Sequence, residues 1–170
     1  FDIGRVRFII TDQRSYSSPK ANTDNGSKTM LGTTQKAWFK NLLSNSSGYA
    51  IAWVCPRGFG GASAVAGADW WQGFTTERKE IADHIKANCH GRVMVLSADL
   101  HMLGIDDGSH HDFATGGGEP LPTFQAAALD QPGASTGFTY SHGEYTGTGQ
   151  FGTMAVTDSG GSSIGVVWTG

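Results

Sequence analysis

The sequence predicts an α/β domain whose C-terminal half is mainly β. Three observations predict it. Short apolar runs alternate with helical patterns from Val6 to Ala98, no helical period survives beyond Gly104, and 170 residues with 38% hydrophobic content suffice for one core.

Val6 to Thr11 reads as the first strand, followed by a Ser/Asn/Gly-rich loop from Ser15 to Ser27. "TTQKAWFKNLLSN" places Trp38, Phe39, Leu42 and Leu43 on one helical face, with a start at Thr33 or Thr34. Tyr49 to Val54 is the second strand, and a loop rich in small residues spans Gly58 to Gly67. "TTERKEIADHIKANCHG" carries Ile81, Ile85 and Cys89 at spacings of four, with Glu77 near its start and Gly91 as its stop. Val93 to Ala98 is the third strand, so strand and helix alternate as crossover connections require. Phe124 to Leu129, Gly137 to Ser141, Phe151 to Thr157 and Ser163 to Thr169 read as short strands with an antiparallel edge, and "TDSGGSS" as a turn. Trp38, Phe39 and Trp53 are expected in the core, and one of the adjacent Trp70 and Trp71 is expected to be partly exposed.

A formal charge of -3, with 12 Lys and Arg in no basic cluster, argues against a nucleic-acid partner. No apolar run approaches the roughly 18 residues of a membrane span. Cys55 and Cys89 could pair but form no recognisable framework, which leaves the redox compartment open. The chain enters a strand almost at once, without an initiator Met or a signal peptide, as though it began in mid-domain.

The run "VMVLSADLHMLGIDDG" is where chemistry is concentrated. On an extended strand Asp99 and His101 would share a side, at the edge where α/β sheets place ligands. Such a pair can grip a metal ion; equally, the Asp can cap loop amides and the His can satisfy a carbonyl.

Context adds to this pair. "VMVLSADLH" resembles the "vvlSGDvH" signature of the PhoD-like alkaline phosphatases, a branch of the calcineurin-like metallophosphoesterases. "FIITDQRSY", "MLGTTQKAWFKNLL", "ADWWQGFTTERKEI" and "GQFGTMAVTD" with "VVWTG" resemble further segments of that family, in the same order. The resemblance implies the C-terminal half of a four-layer α-β-β-α sandwich, with residues 1–170 forming the C-terminal part of the domain. It implies hydrolysis of phosphate mono- or diesters by a metal-bound hydroxide held between two metal ions, either iron and calcium or zinc and manganese. It also implies a secreted or periplasmic location and assigns Asp99 and His101 as metal ligands.

The sequence departs from the family at two points. Ala98 stands where the family has Gly, and the N-terminal Asp and Asn-His ligand motifs are absent. The expectation is therefore half a site, inactive alone, with the remaining ligands on a missing N-terminal segment or a companion chain. The competing expectation is a non-catalytic remnant or interaction domain that kept the scaffold.

Other polar residues are weaker candidates. By the same alternation Asp12 and Arg14 share a face, where they would steady the metal cluster or meet phosphate, or else form a buried ion pair. Arg57 follows "WVCP" and is a candidate phosphate contact. Asp69 and Arg78 are expected to pair and brace a helix start, and His142, in a Gly-rich loop, is a candidate substrate contact. His110, His111 and Asp112 are disfavoured as a second metal site, and "TGGGEP" reads as a turn more than as an anion cradle.

Overall fold

The computed structural model describes residues 1–126 and 128–170. Among them, seven strands form one mixed sheet in the order β1-β2-β3-β4-β6-β5-β7: β1 (Asp2–Ile3), β2 (Val6–Ile10), β3 (Ala50–Cys55), β4 (Val93–Ser97), β5 (Leu103–Asp106), β6 (Thr123–Gln125) and β7 (Glu144–Tyr145). The strands β2, β3, β4 and β6 run parallel, while β1, β5 and β7 add antiparallel edges. Helix α1 (Thr33–Ser44) connects β2 to β3, and α2 (Thr75–Asn88) connects β3 to β4. Two right-handed crossovers advancing in one direction along a sheet place both helices on the same face.

Side-chain alternation on β3 makes this concrete. Ile51, Trp53 and Cys55 join Phe39 and Leu43 of α1 and Ile81, Ala82 and Ile85 of α2 in one buried cluster. Ala52 points the other way, to a smaller cluster in which Val6 and Met94 meet Met154, Val166 and Trp168. Those last three belong to the hairpin of β8 (Thr153–Thr157) and β9 (Gly165–Thr169), a separate two-stranded sheet. The layers are thus helices, sheet and hairpin. Trp53, Trp71 and Phe39 are fully enclosed, each contributing on the order of 2–3 kcal/mol through burial.

Three expectations are corrected. Trp38 is 45% exposed, because the apolar patch of α1 is wider than its contact with the sheet and Phe39 and Leu43 occupy the centre. Residues 137–141 form no strand, and amides at both ends of the stretch are taken by side chains: Thr136 N–H donates to Glu144 (2.7 Å) and Ser141 N–H to Asp106 (2.9 Å). The strand expected over 124–129 is β6, which ends at Gln125; residue 127 lies outside the described residues. As expected, Trp71 is buried and Trp70 half-buried; α2 ends at Asn88 with Cys89 as its cap, and Gly91, two residues further on, turns the chain with φ 67°.

Long-range contacts tie down the loop from Ser15 to Ser27. Asp24 accepts the amides of Thr75 (2.7 Å) and Thr76 (3.3 Å), capping α2 from 51 residues away in sequence. Buried Glu77 takes the hydroxyl of Thr29 (2.6 Å) and the amide of Met30. Cys55 and Cys89 are both buried and unpaired with one another. Among the described residues no helix is long and apolar enough to cross a membrane.

Candidate functional site

Because β2, β3 and β4 are parallel and adjacent, whatever follows them gathers at one sheet edge. After β2 come Asp12, Gln13 and Arg14, after β3 comes Arg57, and after β4 comes Asp99. Asp69 joins from the segment preceding a 3-10 turn at Trp71–Gly73.

Arg14 links this group. Its guanidinium donates to Asp99 at 2.9 Å and to Asp69 at 3.4 Å, and its side chain is more than half exposed. Of the alternatives for Asp12 and Arg14, the buried ion pair does not form. Asp12 instead accepts the amides of Arg14 (2.8 Å) and Ser15 (2.9 Å) in a tight turn. Hydrogen bonding from Ser15, and then from the Arg14 amide, pulls its carboxyl down to about 2.

Arg57 differs from Arg14 in being only 6% exposed. Its guanidinium donates to the Asp69 carbonyl and approaches the Met30 sulfur at 3.4 Å, while Nε has no partner. Among the described residues no carboxylate stands within ion-pair distance of it, although Asp69, Asp99 and Asp12 are near enough to favour its charge. Burial lowers its pKa, and Arg14 adds to the effect.

The main chain of Arg57 is held by residues that sequence inspection passed over. Its N–H donates to Gln13 Oε1 at 3.0 Å, and its carbonyl accepts from Ser97 Oγ at 3.1 Å and from Cys55 Sγ at 3.4 Å. The available signal was a polar side chain at the end of each apolar strand.

The strand geometry expected of Asp99 and His101 is corrected. β4 ends at Ser97, and Asp99 has φ 74°, the one positive value on a non-glycine residue among those described. The Met102 amide donates to the Leu100 carbonyl at 2.8 Å, so the chain turns and does not alternate. Ala98 has no positive φ, which is why alanine is tolerated there. His101 is exposed; its carbonyl accepts the Ala134 amide at 2.8 Å, and no described residue hydrogen-bonds its ring. A carboxylate and an imidazole are the donor types that zinc or a related ion takes. Among the described residues, however, no group of three His, Cys, Asp or Glu could hold a metal. Asp99 and His101 therefore fit a metal in kind but not in number.

The remaining candidates lie elsewhere. Arg78 does not pair with Asp69: it is buried, donates to the Phe59 carbonyl at 3.0 Å and lies 3.7 Å over the Phe113 ring, and burial lowers its pKa to about 10. His110 binds buried Asp106 at 2.9 Å. His111 sits at 1% exposure among Phe59, Phe113 and Tyr140. Asp112 accepts the amides of Gly118 and Glu119, so the "TGGGEP" loop encloses a carboxylate of its own chain. His142 lines a cleft of about 1230 Å³ between sheet and hairpin, with Trp168 of β9 and with Tyr49 and Arg92, which precede β3 and β4 at the other ends of the parallel strands. Large as it is, that cleft contains none of the strand-end group.

Asp12, Asp69 and Asp99 oppose Arg14 and Arg57, three negative charges against two positive. One surplus carboxylate beside a buried guanidinium without a carboxylate can serve a cation and an oxyanion together.

The PhoD-like phosphatase family model matches residues 1–148. The chain is 29% identical over 110 residues to alkaline phosphatase D of Bacillus subtilis (strain 168), a match covering 55% of this chain and 19% of that protein. It is also similar to a solved structure of PhoD, with a TM-score of 0.57 and 20% identity, over 72% of this chain and 26% of the other. The chain thus spans about a fifth to a quarter of the length of these relatives.

Proposed function

The chain belongs to the PhoD-like phosphatase family, and from that premise we propose that it forms part of a metal-dependent phosphoester hydrolase, with the strand-end group as its share of the active site. The observation that carries this reading is Arg57, a buried guanidinium that has, among the described residues, no partner for Nε and no carboxylate in ion-pair contact, with Asp99 close enough to favour its charge. A buried cation left in that state is suited to an incoming oxyanion, and a phosphoryl group can take two guanidinium N–H bonds at once.

In this reading Arg57 binds the phosphoryl oxygens. Arg14, exposed and shared between Asp69 and Asp99, steadies Asp99 and can turn one N–H toward the same phosphoryl group. Asp99 and His101 are this chain's contribution to the metal ligands, and the rest of a longer protein supplies the others and completes the four-layer sandwich. When bound, the metal pair supplies the nucleophile and the Lewis acidity that phosphoester hydrolysis needs. The 170 residues alone are then inactive. Export, as in secreted or periplasmic phosphatases, belongs to the same proposal.

Assaying the longer protein with p-nitrophenyl phosphate and bis(p-nitrophenyl) phosphate tests the reading and separates monoesterase from diesterase. Asp99→Asn and His101→Ala should each abolish turnover and lower bound metal while leaving the unfolding temperature within a few degrees. Full turnover in both variants would overturn the ligand assignment. An inactive but folded wild-type protein, loaded with iron plus calcium and separately with zinc plus manganese, would favour the non-catalytic scaffold.

A further inference from the structure

We infer that Gln13 is a positioning residue for phosphate binding, holding the main chain of Arg57 so that its guanidinium faces the strand-end site. The inference rests on the proposed role of Arg57 as the phosphate contact. Gln13 is fully buried and cannot itself touch a substrate. All of its polar capacity is directed at fixed partners. Oε1 accepts the Arg57 amide at 3.0 Å, and Nε2 donates to Cys55 Sγ at 3.1 Å and to Thr11 Oγ1 at 3.3 Å. A side-chain amide at 0% exposure is costly unless paired in this way.

The partners of Gln13 are anchored in turn. Trp53 Nε1 donates to Thr11 Oγ1 at 3.0 Å, and Trp71 Nε1 donates to Cys55 Sγ at 3.1 Å, so two buried indoles fix the groups that Gln13 holds. The Arg57 carbonyl is secured by Ser97 Oγ at 3.1 Å, and Ser97 Oγ also accepts the Phe59 amide at 3.2 Å. Pro56, immediately before, restricts the backbone further. Both main-chain polar groups of Arg57 are therefore gripped by side chains from the ends of three neighbouring strands. An arginine side chain has many rotamers, and a fixed main chain with a buried stem removes most of them before any ligand arrives.

The test is the affinity of the longer protein for inorganic phosphate, measured by calorimetry for wild type, Gln13→Met, Arg57→Ala and the double variant. Gln13→Met keeps the volume but loses the hydrogen bonds, and should weaken phosphate binding about 10-fold or more. In the Arg57→Ala background the same change should have no further effect, because Gln13 acts only through Arg57. Wild-type affinity in Gln13→Met, or an equal loss in both backgrounds, would overturn the inference. Unchanged affinity in Arg57→Ala would instead remove the phosphate-contact reading on which it rests. Should Gln13→Met fail to fold, Ser97→Ala releases the opposite side of the Arg57 main chain, and the same cycle applies with the same criteria.

Discussion

Acid should destabilise this protein through His111 before its carboxylates are affected. The imidazole is 1% exposed, both ring nitrogens lack hydrogen-bond partners among the described residues, and aromatic rings surround it. Burial lowers its pKa from 6.5 to about 4, against the opposing pull of Asp106 4.0 Å away and with help from Arg78 and His110. Above pH 6.5 the group is neutral in both states and costs nothing. As pH falls toward 4, the unfolded chain binds a proton that the native state refuses, so stability is lost. The loss is about 2 kcal/mol at pH 5 and tends to about 3 kcal/mol below pH 4. Carboxylates such as Asp12, Asp107 and Asp158, held near 2 by hydrogen bonding, contribute their losses only below about 4. Urea unfolding at pH 7.5 and pH 5, for wild type and His111→Phe, isolates the effect: the wild type should lose about 2 kcal/mol more than the variant. Equal losses in the two proteins would refute the reasoning.

Two further outcomes follow from burial. Phe39→Ala should cost about 3–5 kcal/mol in denaturant unfolding, whereas Trp38→Ala, on the same helix but 45% exposed, should cost less than about 1 kcal/mol. Both thiols should resist a disulfide reagent until the protein unfolds, because burial raises Cys55 to about 12 and Cys89 to about 11 and leaves neither a thiolate near neutral pH.

Local pattern was enough to determine the helix-covered face of the sheet, though not the hairpin packed on its other face. The apolar runs read at 6–11, 49–54 and 93–98, which fall on the strands at 6–10, 50–55 and 93–97, and the helical spacing around Phe39 and Ile81 are carried by neighbours in the chain, and hydrophobic periodicity reads them directly. Parallel order then followed from the helical crossovers, and with it the edge that carries the residues following each strand. The tertiary structure decided what these residues do to one another. Strand alternation, extended past Ser97, aligned Asp99 with His101, but a backbone turn with φ 74° at Asp99 intervenes. Arg14 was matched to Asp12 by that alternation, yet it reaches Asp69 and Asp99, 55 and 85 positions away. Nothing local distinguishes Arg57, buried and without a carboxylate, from exposed Arg14, nor marks Gln13 as its support. Periodicity reports which side of an element is apolar, a property of neighbouring residues. Charge pairing and main-chain support depend on which distant side chains share a small volume, and only the folded chain sets that.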